Sequence, residues 1–322
     1  MEELVLRPED RVLVVGATGF VGRRLVGELL RNKIRLRLLA RSPERARLLV
    51  TAGADMEVSK GDLLQNEGLE EAMRGIHSAY YLVHSMGGKS VLKNLDFAEQ
   101  DKAAARNFVS AAGAGEVKRV IYLGGLGETK EGLSEHLSSR AEVARILSSG
   151  RPSATVLRAA IIIGAGGASF EMLRYLVERL PVMICPRWID TRIQPIAIRD
   201  VIAYLLGCLL KPETAGRTFD IGGPEIFTYR EMIERYAEAR GLPRRLIITV
   251  PVLTPLLSAY WVDLVTPVPS GIAHPLIEGL RNDVICLDNA IEGIIPIEKT
   301  PFKKAVLEAV SEETEGPGTA RL

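Results

Sequence analysis

An α/β fold built on a doubly wound parallel sheet, with a smaller lobe toward the C-terminus, is predicted by three observations. Short apolar runs alternate with helical runs through the first half of the 322-residue chain. A glycine-rich turn, Gly16-Ala17-Thr18-Gly19-Phe20-Val21-Gly22, joins the first apolar run to the first helix. Several later runs exit into glycine or small polar residues, as strands do where a parallel sheet presents its carboxyl edge.

The first strand is read at 11–15, and the helix after the glycine turn runs through Leu29 and Leu30. The second strand, 34–40, ends at Arg41-Ser42-Pro43, and a helix follows over 44–50. The third, 56–59, ends at Gly61-Asp62-Leu63; the fourth, 79–83, exits through His84-Ser85-Met86 into an Ala-rich helix over 95–112. The fifth, 119–123, runs into Gly124-Gly125-Leu126-Gly127 and a helix over 134–147. The sixth, 155–163, ends in Gly164-Ala165-Gly166-Gly167. Near-continuous apolar strands between helices imply a sheet covered on both faces.

Beyond Gly167 the alternation loosens. Helices are read at 169–180, 201–210 and 229–240, with a seventh strand at 219–222. The predicted organisation is a sheet domain over 1–167, to which 193–224 returns, and a smaller substrate or interaction lobe from 168–192 and 225–322. The Pro-rich stretch 243–275 resists assignment, and polar 311–322, with Gly316-Pro317-Gly318, reads as a loose tail.

Composition narrows the partners. Lys and Arg number 41 against 40 Asp and Glu, leaving a net charge of +1 and no basic field for nucleic acid; aromatics, at 5%, offer little for base stacking. Cys185, Cys208 and Cys286 are far apart with no C-x-x-C, which fits neither a disulfide framework nor zinc, and each is read as a small buried hydrophobe. His77 and His274 lack ligand-spaced neighbours, so no metal site is expected. The reducing cysteine usage and an acidic N-terminus without a signal pattern lead to a cytoplasmic expectation. The most membrane-like stretch, 246–268, is interrupted by Pro251, Pro255, Asp263 and Pro267, which a spanning helix would not carry. Surface association through 246–275 is the minor alternative, and nothing here sets the oligomeric state.

The glycine turn carries the first chemical signal. Gly16 permits a tight exit from the strand, Gly19 lets backbone approach a pyrophosphate, and Gly22 lets the helix pack close. The amides of the turn and of Thr18, Phe20 and Val21 then face an anion at a helix N-terminus. An acid at the end of the second strand would accept from the ribose of NAD, but Leu39-Ala40-Arg41-Ser42 has none. Arg41 can instead fork onto a 2′-phosphate, assisted by Ser42 and Arg45, so NADP(H) is expected ahead of NAD(H). Asp62 and Leu63 are placed to meet the adenine, with a helix N-cap as the alternative role for Asp62. Val83, His84 and Ser85 leave the fourth strand on the same edge.

Together with Leu157-Arg158-Ala159-Ala160 and Gln194-Pro195-Ile196 through Asp200-Val201, these motifs resemble the extended and atypical short-chain dehydrogenase/reductase superfamily. The likeness covers most of residues 10–240 and is nearest to bacterial NAD(P)-binding proteins similar to NmrA-like redox sensors and to the complex I accessory subunit. It implies a Rossmann-type fold. In members that transfer hydride, a Ser or Thr follows the fifth strand and a Tyr-x-x-x-Lys pair lies on the next helix. Here Gly124 and Gly125 stand after the strand with no hydroxyl until Thr129, and His136 and Arg140 fill the Tyr and Lys positions.

His136 and Arg140, four apart, share a helix face that continues through Val143 and Leu147 and is predicted to face the sheet. A histidine exchanges protons near neutrality, and Arg140 can hold ribose or phosphate oxygens but cannot act as a base. His84 competes for proton transfer, Ser85 and Ser138 could donate to a carbonyl, and Asp200 reads as a structural cap. Two functional classes follow. One is an NADPH-dependent reductase of a small apolar carbonyl, quinone or similar acceptor, its nicotinamide near Gly124, Ala159, Ala160 and Ile161 under a roof from 169–188. The other is a non-catalytic NADP(H)-binding redox sensor or assembly factor. A sugar-nucleotide epimerase is a weaker third, because that chemistry uses the same absent tyrosine.

Overall fold

A computed structural model describes residues 2–49, 53–83, 97–127, 135–250, 267–268 and 282–314, apart from the side chains of 97, 135, 136, 187 and 188. Six strands, β1 (Arg11–Val15), β2 (Arg35–Ala40), β3 (Met56–Lys60), β4 (Ile76–Tyr81), β5 (Arg119–Gly125) and β6 (Ser153–Ala159), alternate with helices. The helices are α1 (Phe20–Arg31), α2 (Pro43–Arg47), α3 (Leu69–Met73), α4 (Phe97–Ala114) and α5 (Glu135–Ser148). After them come β7 (Ile162–Ile163), α6 (Ala168–Arg179), β8 (Val182–Pro186), β9 (Arg192–Ile193), β10 (Ile196–Ala197) and α7 (Ile198–Leu210). The chain continues with β11 (Thr218–Ile221), β12 (Phe227–Thr228), α8 (Tyr229–Ala239), β13 (Leu246–Val250) and α9 (Phe302–Thr314).

The main sheet runs β11-β6-β5-β4-β1-β2-β3, all parallel, so the strand order reverses between β1 and β4 and opens a crevice at their carboxyl ends. Strand periodicity explains the apolar runs. Val12 and Val14 face a layer with Leu25 and Leu29 of α1 and Val201 and Leu205 of α7, while Leu13 and Val15 face Ala105 and Phe108 of α4 and Leu147 of α5. A separate cluster joins Phe170 and Val177 of α6, Met183 of β8, Tyr236 of α8 and Val306 of α9.

Several expectations are corrected. The run read as one strand over 155–163 divides: β6 stops at Ala159, and Ile162 and Ile163 pair instead with β10, where Ile161 O accepts from Ile196 N at 3.0 Å. Apolar content alone cannot signal that change of partner. Residues 311–314, read as the start of a tail, end α9, because Val306, Ala309 and Val310 are buried while Glu312 and Glu313 pair with Arg24 and Arg174. The unassigned Pro-rich stretch supplies β13, parallel to β8. Asp200 lies inside the first turn of α7 and accepts from Thr300 N and Oγ1 at 2.7 and 2.8 Å, so it fastens a distant loop rather than capping its own helix.

Candidate functional site

The turn between β1 and α1 is built by two steric demands. Gly16 has φ +87°, and a Cβ there would stand 2.6 Å from Leu82 O on the neighbouring β4 exit. At Gly22 a Cβ would lie 2.1 Å from Gly16 O, so α1 rests directly on the turn. Gly19 N donates to Gly16 O at 3.0 Å and Arg23 N to Gly19 O at 3.1 Å. Gly19 is the N-cap and, having no side chain, makes no cap bond, so among the described residues no side chain caps the first-turn amides at the crevice. Thr18 and Gly19 are exposed; Phe20 and Val21 are half-buried. Uncapped amides at a positive helix end fit the diphosphate of a dinucleotide.

Arg41 and Ser42 are exposed where β2 ends, and Ser42 precedes α2 without capping it through its side chain. At the β3 exit, Asp62 Oδ1 accepts from Leu64 N at 2.8 Å and Gln65 N at 3.3 Å. The next helix, α3, starts only after Gly68, so Asp62 closes its own turn and the N-cap alternative fails. Leu63 O accepts from Asn107 Nδ2 of α4 at 2.7 Å, which holds this turn against the sheet edge. Val83 is half-buried beside Gly16, whereas His84, Ser85, Thr129 and His274 lie outside the described residues.

On the other side of the crevice, Val143 and Leu147 of α5 are buried against the sheet. Arg140 continues that stripe: its Nη1 donates to Leu123 O at 3.4 Å, at the end of β5 beside buried Gly124. Its Nε is buried with no hydrogen-bond partner among the described residues. His136 lies one turn earlier on α5, but its side chain is outside the described part. Ser138 is exposed, while buried Ser139 donates to Asp101 Oδ2 at 3.4 Å. Tyr81 sits below, edge-on to Tyr122, and burial raises its hydroxyl pKa far above the ordinary value, keeping it protonated.

Ala159 is buried at the end of β6, with its carbonyl accepting from Leu126 N at 2.9 Å; Ala160 and Ile161 are half-buried beyond it. Arg158 donates through Nε to Asp220 Oδ1 at 2.7 Å, and Asp220 Oδ2 accepts from Leu287 N at 3.0 Å, fastening a distal loop over this edge. Arg24 ties three parts together, donating to Phe20 O at 3.0 Å, Ala165 O at 2.9 Å and Glu312 Oε1 at 2.5 Å. Asn107, Arg24 and the Arg158–Asp220 pair were missed in the sequence. Only a lone Asn within an Ala-rich helix offered a signal, since the contacts of Arg158 with Asp220 and of Arg24 with Ala165 and Glu312 join positions 62 to 288 residues apart.

Of the three free cysteines, Cys185 and Cys208 are buried and Cys286 is half-buried, its amide donating to Gln194 Oε1 at 2.9 Å. Burial pushes their thiols up, to about 11 for Cys185 and about 12 for Cys208 and Cys286. His77 sits at the opposite edge between Ser78 Oγ and Glu3 O. Among the described residues no group of three or more His, Cys, Asp or Glu is placed to hold a metal, and no helix is long and apolar enough to cross a membrane.

Residues 16–161 match the family described as NAD(P)H-binding. The chain is 25% identical over 291 residues to the Arabidopsis thaliana mitochondrial NADH dehydrogenase [ubiquinone] 1 alpha subcomplex subunit 9, covering 87% of this chain and 71% of that protein. It is 26% identical over 241 residues to the (4-alkanoyl-5-oxo-2,5-dihydrofuran-3-yl)methyl phosphate reductase of Streptomyces griseus subsp. griseus, covering 73% of this chain and 75% of that protein. The fold superimposes on the Citrobacter sp. triphenylmethane reductase complexed with NADP(H), with a TM-score of 0.72 and 19% identity over 92% of this chain and 99% of that one. The switch-point crevice and the glycine turn lie within the segment that matches the NAD(P)H-binding family, and the fold is the Rossmann-type α/β fold of NAD(P)-binding proteins.

Proposed function

We propose that the chain is an NADPH-dependent oxidoreductase that reduces a small apolar carbonyl, quinone or similar acceptor. The observation that carries this reading is Arg140, whose guanidinium reaches the carboxyl end of β5 beside Gly124 with an Nε that has no hydrogen-bond partner among the described residues. It stands where a ribose-holding lysine is expected, and a forked cation suits ribose and phosphate oxygens.

When bound, the dinucleotide supplies a hydride from its nicotinamide C4. The amides of 16–22 would hold the diphosphate, Asp62 and Leu63 would border the adenine, and Val83, with His84 and Ser85 next in sequence, would meet the dinucleotide at the β4 exit. Gly124, Ala159, Ala160 and Ile161 would bound the nicotinamide half. Arg41, with Ser42 and Arg45, reads the 2′-phosphate, since no acid stands at the end of β2 to accept from a bare ribose. His136 would give the acceptor its proton, and Arg140, one turn later on α5, would hold ribose oxygens. The partner is a small molecule and the setting a reducing cytoplasm. The Streptomyces and Citrobacter reductases support this class of reaction.

NADPH oxidation screened over carbonyls and quinones tests the reading. Turnover is expected with at least one apolar acceptor and is lost in His136→Ala, Arg140→Ala; full activity in that double variant removes the acid–base role. A second reading, a sensor or assembly factor that binds NADP(H) without turnover, is favoured by Gly124, Gly125, His136 and Arg140 standing where Ser, Tyr and Lys are expected. Its relative is the plant complex I subunit. Tight NADPH retention with no oxidation by any acceptor selects it.

A further inference from the structure

The two-stranded sheet of β8 and β13 is parallel, and parallel sheets ordinarily bury both faces. Its inner face does so: Met183 and Cys185 are buried in the second core, and Ile247 packs against them. The outer face is apolar as well, but open. Leu246 pairs with Val182 and Ile248 with Ile184, and these four side chains are 57%, 47%, 44% and 57% exposed respectively. They are four of the eleven large hydrophobics exposed among the described residues, gathered as two adjacent cross-strand pairs, whereas the others are scattered.

The surroundings indicate what this face meets. Arg179, Arg240 and Arg244 are exposed at the amino end of the two strands, with Arg245 half-buried beside them; among the described residues Arg240 pairs with Glu178 and Arg244 with Glu234. From the carboxyl end of β13 the chain passes into residues 251–262, which carry no charge. An apolar face with an arginine rim at one end suits the headgroup and acyl boundary of an anionic bilayer. It suits a stable protein dimer poorly, because four side chains are far from the area such interfaces bury.

We propose that the outer face of β8 and β13 docks the protein on the surface of an anionic lipid bilayer, with Val182, Ile184, Leu246 and Ile248 entering the interface and the arginine rim meeting lipid phosphates. Contact is superficial, since no described helix is suited to spanning. The proposal is independent of the redox reading.

Co-sedimentation of the full chain with phosphatidylcholine vesicles, with and without phosphatidylglycerol, tests it at low and high salt. Wild type is expected in the pellet with the anionic vesicles, less so at high salt. Ile184→Glu, Ile248→Glu should partition at least about tenfold less, and Arg244→Glu should lose part of the binding and its salt dependence. Both changes sit at solvent-facing positions, and NADPH affinity equal to wild type certifies the fold. Wild type remaining in the supernatant, or the double variant partitioning like wild type, overturns the proposal. So does a concentration-dependent dimer abolished by the same double change with no vesicle binding, which would assign the face to a second copy.

Discussion

Gly22 and Gly27 lie in the same helix, five residues apart, yet adding one methyl to each is expected to act in opposite directions. At Gly22 the new Cβ would sit 2.1 Å from Gly16 O and 2.8 Å from Ala17 Cα, against the 3.4 Å at which ordinary contact begins. Both obstacles are backbone, so neither can rotate away. Either α1 lifts by about 1.3 Å, disturbing Leu25, Val26 and Leu29 in the core, or the turn opens. Overpacking against rigid atoms on two sides belongs at the upper end of its range, about 3 kcal/mol. Unfolding entropy near 2.1 cal/mol/K per residue amounts to about 0.7 kcal/mol/K for this chain, so Tm should fall by about 4 °C. At Gly27 a Cβ meets nothing within 4 Å, and replacing a mid-helix glycine should stabilise by about 0.5–1 kcal/mol, raising Tm by about 1 °C. Thermal unfolding by circular dichroism of apo Gly22→Ala and Gly27→Ala reads both signs, and NADPH titration adds a functional readout in which only the first should bind more weakly. A Gly22→Ala protein melting with wild type, or both variants moving the same way, would refute the steric account of the turn.

Three further outcomes follow from single contacts. Arg41→Ala should weaken NADPH by about tenfold or more and leave NADH nearly unchanged, as read by parallel fluorescence titrations; equal losses for both would remove the phosphate-reading role. Asp200→Ala should cost about 2–3 kcal/mol in urea unfolding, because it leaves the Thr300 amide and hydroxyl unpaired inside the protein; a neutral result would show that the loop is held by other means. The buried thiols favour their protonated form when folded. Their stabilisation is therefore complete below the unfolded pKa near 9 and is lost as pH climbs toward the folded values of about 11 to 12. Urea midpoints should fall over that window, and iodoacetamide at pH 8 should label the native thiols far more slowly than the unfolded ones by mass spectrometry.

The glycine turn and the β2 exit were readable because their signals are local. Gly19 and Gly22 answer to contacts within one turn, Gly16 to its own left-handed φ, and the missing acid after Ala40 is a property of four consecutive residues. The stripe of Arg140, Val143 and Leu147 was readable because helical period alone decides which side chains share a face. The edge beyond β6 was not. Ala160 and Ile161 look like strand in sequence, and only pairing with residues 196 and 197 draws Ile162 and Ile163 out of the main sheet. Asp200 has the look of a cap until Thr300 arrives from 100 residues away.

Local chemistry was thus enough to specify strand, turn and helix, since backbone geometry and the period of buried faces act over a few residues. What closes the crevice was settled by long-range packing. The parallel pairing of β8 with β13, the anchoring of α9 by Arg24 and Arg174, and the Arg158–Asp220 clasp each join segments whose meeting depends on how the two cores pack, and no pattern in any one segment encodes that.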